Sequence, residues 1–360
     1  MPKKKSPPAP DFDPDAAGGG SGLYGLPFRP EEALVVVVPV PFEATTSYGG
    51  GTSRGPEAVR EASRQVDLFD QETGKPYAGG IAMLDIPKKI LRWNREAKAL
   101  AAPVIARGGA GGRGLRAAAA KVDAIGERVN AWVYEQTASL LAGGRMPVIL
   151  GGDHSVPFGS IRAYSERYPG MGILHLDAHA DLREAYEGFT WSHASIFHNV
   201  MTKLPGVGKL VQVGVRDLGE AESRMIETSM GRIVTFFDAE LAMRKERGET
   251  FASIADSIVA ELPDEVYLSW DIDGLDPTLC PGTGTPVPGG LSWNEAVGLL
   301  RAVVRGGKRI VGLDLCEVSP GETEWDANVG ARLLYKMIGF ALMTRGRATA
   351  PAREPASASR

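Results

Sequence analysis

The feature that most constrains this chain is a series of short, almost wholly apolar runs. They are "LVVVVPV" at 34–40, "MPVILGG" at 146–152, "MGILHLDAH" at 171–179, "KLVQVGVRD" at 209–217, "RIVTFF" at 232–237, "EVYLSWDID" at 265–273 and "KRIVGLDLCEV" at 308–318. Runs of this length, bounded by turn formers, read as strands buried on both faces. Between them lie helical patterns. One opens near Pro56, one fills 122–142 and is closed by "GG", and one is "PFGSIRAYSERY"; others cover about 219–230, 250–261, 293–305 and 327–343. Strands alternating with helices imply parallel βαβ units in an α/β fold. The stretch 101–121, "AAPVIARGGAGGRGLRAAAAK", breaks the rhythm and is expected to be a variable surface insertion in a single domain spanning 25–345.

Composition narrows the classes of function. The 360 residues carry 40 basic and 44 acidic side chains, a net charge of -4, so no basic field points to nucleic acid. The longest apolar run is too short to span a bilayer, and no membrane association is expected. Two cysteines supply no disulfide framework, which suits a cytoplasmic protein. Residues 1–24 begin basic but continue with Pro, Gly and Asp rather than an apolar core, so they are expected to be a disordered tail. Residues 346–360 are expected to be another.

In open α/β sheets ligands sit beyond the carboxyl ends of the strands, and the polar residues fall there. "VILGGDHS" puts Asp153 and His154 after one strand. "ILHLDAHAD" puts Asp177, His179 and Asp181 after a second. "YLSWDIDGLDP" puts Asp271, Asp273 and Asp276 after a third, and "GLDLCEVSP" puts Glu317 after a fourth. All five histidines, His154, His175, His179, His193 and His198, fall between residues 154 and 198. A lone histidine is ordinarily a packed or surface residue, but five beside strand-end aspartates point to a site. Carboxylates this close need a compensating cation.

The donor set indicates which cation. His154, Asp177, His179, Asp181, Asp271 and Asp273 offer two imidazoles and four carboxylates and no thiolate. Such a set suits Mn²⁺, with Fe²⁺, Ni²⁺, Co²⁺ or Zn²⁺ as competitors; a Mg²⁺ or Ca²⁺ site is disfavoured by the histidines. Six side chains exceed what one open-sided ion needs and suit two ions sharing carboxylates, a pair that generates hydroxide from water near neutral pH.

"GGDHS", "DAHAD" and "SWDIDGLDP" resemble the three signature segments of the ureohydrolases, the arginase and agmatinase family. "VPFEATTSYGGGTSRGPEAVREAS" resembles the family's N-terminal segment and "PGTGTPVPGG" its substrate-side loop. The resemblance covers most of residues 34–343. It implies a three-layer α/β/α fold with a mostly parallel sheet, assembly as a homotrimer or homohexamer, and two Mn²⁺ per subunit. It also implies one ion held by His154, Asp177, Asp181 and Asp271, and the other by His179, Asp177, Asp271 and Asp273, with Asp177 and Asp271 bridging. His175 is outside that pattern and is expected to be a packed strand residue. By the same resemblance His193, in "WSHAS", matches a proton-shuttling histidine, and Glu317 the acid that grips a guanidinium. The implied reaction is hydrolysis of a small guanidino substrate to urea and an amine.

The segment "DLREAYEGFTWSHAS" is similar to agmatinase-like members. "RDLGEAE" stands where arginases tend to carry "RDVDPGE", so the acid that reads an α-amino group is missing. Agmatine is therefore the expected substrate, with arginine, guanidinobutyrate, guanidine and formimidoylglutamate as alternatives and a non-catalytic metal-binding scaffold as a further one. Arg183 has two readings. Paired with a nearby acid it is structural; facing the pocket it binds a substrate carboxylate.

Overall fold

The apolar runs do form strands, and all of them join one sheet. In the computed structural model, which describes residues 12–16 and 20–345, the strands are β1 (Val35–Val40), β2 (Ile81–Met83), β3 (Met146–Gly151), β4 (Met171–Leu176), β5 (Val207–Val215), β6 (Ile233–Phe237), β7 (Glu265–Asp271) and β8 (Arg309–Cys316). Their order is β2-β1-β3-β8-β7-β4-β5-β6, and every pairing is parallel. The helices are α1 (Gly55–Ala62), α2 (Lys88–Ile105), α3 (Arg113–Ala142), α4 (Phe158–Arg167), α5 (Ile196–Lys203), α6 (Glu220–Thr228), α7 (Asp238–Glu246), α8 (Phe251–Ala260), α9 (Trp293–Arg305) and α10 (Trp325–Thr344). Helices α2 to α6 cover one face of the sheet; α1 and α7 to α10 cover the other.

Strand alternation divides the core between the two faces. Leu174 and Leu176 of β4 pack with α8, α9 and α10, whereas Ile173 packs with α4 and α5. All are fully buried, and each such side chain contributes about 1.5–3 kcal/mol. The sequence pattern sees this core because both faces of every central strand are covered, which removes polar residues from both.

Three expectations change. Residues 101–121 are largely at the surface, as expected, but they are not one loop: they comprise the end of α2, a connection and the start of α3. Ala101 and Val104 end α2 and Ala119 begins α3, all inside the core, and only 106–112 form the connection. Pro103 reads as a breaker but lies in the last turn of α2, where its missing N–H does not stop the helix. The folded chain also starts before residue 25. Leu23 and Tyr24 are core residues, and the Tyr24 hydroxyl donates to Ala331 O at 3.0 Å. The glycines around "GLYGL" masked this short apolar anchor. The rest of the expected N-terminal tail, at 1–11 and 17–19, and the expected C-terminal tail lie outside the described residues. Finally, β2, α2, α5 and α7 went unread in the sequence. No helix among the described residues is long and apolar enough to cross a membrane.

Candidate metal centre and active site

The four strands that end in acids or histidines are neighbours at the middle of the sheet: β3, β8, β7 and β4. Register aligns their ends, with Leu150 opposite Leu315, Asp271 opposite Cys316 and Leu176 opposite Trp270. The loops that follow therefore empty into one place. Gly152 is needed there for space rather than for a turn, since a Cβ on it would sit 2.1 Å from Phe42 O.

His154 Nδ1 lies 3.0 Å from Asp177 Oδ2, 3.4 Å from Asp181 Oδ2 and 3.5 Å from Asp271 Oδ2. His179 Nδ1 lies 3.3 Å from Asp177 Oδ1 and 3.1 Å from Asp273 Oδ2. The two oxygens of Asp177 thus face two separate donor groups, and Asp177 would be shared if each group held an ion. Asp271 stands against the first group, while its Oδ1 accepts from Asp273 N at 2.9 Å. Except for His179, these side chains are almost entirely buried. The structure brings together all six residues singled out in the sequence, and their nitrogen and carboxylate donors fit a pair of divalent ions.

Burial and crowding shift the protonation of these groups. Burial, then the neighbouring Asp177, pushes Asp181 up to about 7, and burial also raises Asp271 and Asp273. Burial opposes charge on His179, yet Asp273 and Asp177 raise it to about 12. Burial would raise Asp177 too, but His175, His154 and His179 hold it well below the carboxylate range. Cations entering the site would displace these protons.

His175 does not act as a free donor. Gln212 Nε2 donates to Ala180 O at 2.7 Å and lies 3.0 Å from His175 Nδ1, so that ring nitrogen accepts. The proton is then on Nε2, which donates to Asp177 Oδ2 at 2.8 Å. His175 orients the Asp177 carboxylate. A second supporting chain was not read in the sequence. His154 Nε2 meets Ser269 Oγ at 3.0 Å, and Ser269 Oγ donates to Asp314 at 2.9 Å. Ser269 and Asp314 are register partners on β7 and β8, both fully buried. One signal was present: an acid inside an apolar central strand needs a partner. Asp153, next to His154 in the chain, accepts from Ser155 N at 3.0 Å and from the Ser155 hydroxyl, capping its own turn. Burial pushes the Cys316 thiol well up, which makes it inert.

Glu317 directly follows β8 in a left-handed conformation, φ 62°, and Asp181 has φ 53°. Such backbone is costly for residues other than glycine, and it concentrates at functional sites. Glu317 Oε1 accepts from His154 N at 3.1 Å, whereas Oε2 is buried with no partner among the described residues. Burial, with Asp153 and Asp273 nearby, raises its pKa well above the usual range.

A cleft of about 290 Å³ opens over the cluster, with His179, Asp181 and His193 on its wall. Glu317 is not among the residues that line the cleft; its Oε2 is buried 3.1 Å from where a Cβ on Gly284 would stand, next to the lining residue Thr285. Thr45, also missed in the sequence, fixes His193. Its hydroxyl accepts from His193 N at 3.3 Å and lies 3.2 Å from His193 Nδ1, which holds the ring in place. Burial first, then the positive His179, lowers His193 to about 4, leaving a neutral ring. Arg183 satisfies both of its readings in part. Its Nε is 3.4 Å from Glu222 Oε2 and its guanidinium lies 5.0 Å over the Tyr186 ring, yet it also lines the cleft.

Residues 33–339 match the model of the arginase family. The chain belongs to the arginase family. It is 35% identical over 313 residues to the N(1)-aminopropylagmatine ureohydrolase of Thermus thermophilus, a match covering 86% of this chain and 91% of the relative. It is 29% identical over 306 residues to the guanidinobutyrase of Pseudomonas aeruginosa, covering 84% of each. The agmatine ureohydrolase structure of Thermoplasma volcanium superposes with a TM-score of 0.69 at 23% identity, over 90% of this chain and 94% of that one, and shows the shared fold. As an arginase-family ureohydrolase, the chain keeps its six candidate ligands on the ends of the sheet's central strands and in the loops that follow them.

Proposed function

We propose that this protein hydrolyses a guanidino carbon–nitrogen bond, releasing urea and an amine, and that its substrate is agmatine, which carries an ammonium tail. The observation that carries this reading is Glu317. A strand-end carboxylate with one oxygen buried and unpartnered, beside six metal-type donors, matches the paired donors of a guanidinium. Two bound divalent ions, Mn²⁺ in this proposal, would lower the pKa of water and supply the nucleophile.

The chain's own residues do the rest. Glu317 orients the guanidinium over the cluster and stabilises its positive charge. Neutral His193, positioned by Thr45 and carrying its ring proton on Nδ1, takes up a proton at Nε2 and delivers it to the departing amine. The wall then favours a cationic tail, because the charge of Arg183 is matched by buried Glu222. A second reading, a carboxylate-tailed substrate such as guanidinobutyrate, is supported by the 41% exposure of the Arg183 side chain on the cleft wall. The proposal includes a cytoplasmic homotrimer or homohexamer, which sedimentation would check.

Urea release from agmatine, arginine, guanidinobutyrate and guanidine by Mn²⁺-loaded protein is the test. The highest kcat/KM is expected with agmatine. No urea from any of the four with two ions bound would remove the hydrolase reading.

A further inference from the structure

The floor of the cleft explains how a guanidinium is held, but not what meets the far end of the substrate. The mouth supplies two side chains with nothing else to do. Tyr48 lines the cleft with 73% of its surface exposed, and it has no ring, cation or hydrogen-bond partner among the described residues. Asp217 lines the same cleft, is exposed, and its carboxylate has no hydrogen bond or ion pair among the described residues.

Other candidates on this wall are already engaged. Tyr186 carries the Arg183 guanidinium on its face and meets His193 edge-on at 5.8 Å. Arg183 and Glu222 neutralise each other. Arg216, next in the chain to Asp217, turns its guanidinium away to the carbonyls of Gly214, Asp273, Leu275 and Val287. That leaves one uncompensated negative charge on the outer wall, at Asp217. A backbone bridge between His179 and Asp217 holds their main chains one strand spacing apart, about 4.8 Å, so Asp217 is anchored beside a residue of the cluster. Tyr48 is brought in by a glycine run. Gly49 has φ 67°, and a Cβ on it would lie 2.7 Å from Gly284 O, so only glycine lets this loop close on the loop above Glu317.

We propose that Tyr48 and Asp217 form a subsite at the cleft mouth that takes an ammonium group on the substrate's tail, and that together they set the preference for amine-tailed guanidines. The inference rests on the guanidino-hydrolase reading above. The carboxylate supplies a charge-assisted hydrogen bond, and the ring supplies a cation–π face. An ammonium beyond the one on agmatine, as on a guanidine extended by an aminoalkyl group, would sit at the same exposed mouth without altering the chemistry below.

The test compares agmatine with n-butylguanidine, which has no ammonium, using full-length Mn²⁺-loaded enzyme. The ratio of their kcat/KM values should fall by about three- to ten-fold in Asp217→Asn. In Tyr48→Leu it should fall by about two- to five-fold. Spermidine binding, read by calorimetry, should weaken in both variants in parallel. An unchanged ratio together with unchanged spermidine affinity in Asp217→Asn would overturn the subsite. If the wild type releases no urea from either guanidine while spermidine binding still depends on Asp217, the hydrolase reading falls and the subsite stands.

Discussion

The floor and the mouth of the cleft are built in opposite ways. The floor is made of strand ends and their first loops, almost fully buried, with its carboxylates held by backbone N–H groups, imidazoles or serine. The mouth is made of loops whose side chains, Tyr48, Arg183 and Asp217, are partly or largely exposed. An unsatisfied group in such a buried cluster costs about 1–3 kcal/mol, so the bare Glu317 Oε2 is a place where a substrate donor is favoured. An exposed loop side chain can change at little cost to the fold. The chemistry is accordingly fixed by the sheet, and substrate choice is left to the loops.

This contrast predicts a graded series of effects. The largest belongs to the residue that faces both donor groups. Asp177→Asn should lose bound metal and turnover together, by more than the roughly 10- to 100-fold typical of a supporting partner. Retention of two ions with normal activity would remove the two-ion cradle. Next comes His193→Ala, which should keep both ions and lower turnover about 10²- to 10⁴-fold. Metal loss in that variant would make His193 a ligand instead.

One step further from the ions, Asp314→Asn breaks the chain through Ser269 to His154. Metal affinity should drop about 10- to 100-fold, measured by titration of the metal-free protein. An unchanged affinity would show that the buried network supports only the sheet. Acid should act in the same direction. Asp181, raised to about 7, must lose its proton to bind an ion, as must His179, raised to about 12. Apparent metal affinity should therefore rise with pH between 6 and 8, by about tenfold per unit for each proton displaced. A flat profile would contradict the proton-for-metal exchange. The smallest effect is at the mouth. Arg183→Ala should shift the agmatine to guanidinobutyrate preference by less than about fivefold, as for a partly exposed ion pair. A larger loss confined to guanidinobutyrate would show that Arg183 receives a carboxylate.

How much of this could be read from the sequence follows the same division. The parallel sheet and the six donors were legible because they depend on local patterns: apolar runs, and acids or histidines at their ends. Ser269, Asp314 and Gln212 were not, because their partners come from neighbouring strands, and strand order is not written in any one segment. Thr45 was hidden for the same reason, being 148 residues from His193. The end of helix α2 was lost to Pro103 and to the glycines that follow the helix at 108–112, which make the segment resemble a loop. At the mouth, Arg183 was noticed but not resolved, since pairing with Glu222 depends on how two loops meet.

The central claim is that the floor holds two ions and that both are required for guanidino hydrolysis. Titrating metal-free protein with Mn²⁺ while following urea release from agmatine tests it most directly. Activity is expected to stay low through the first equivalent and to reach its plateau at two ions per chain. Full activity with a single ion bound, or two ions bound without urea from any guanidino compound, would contradict it.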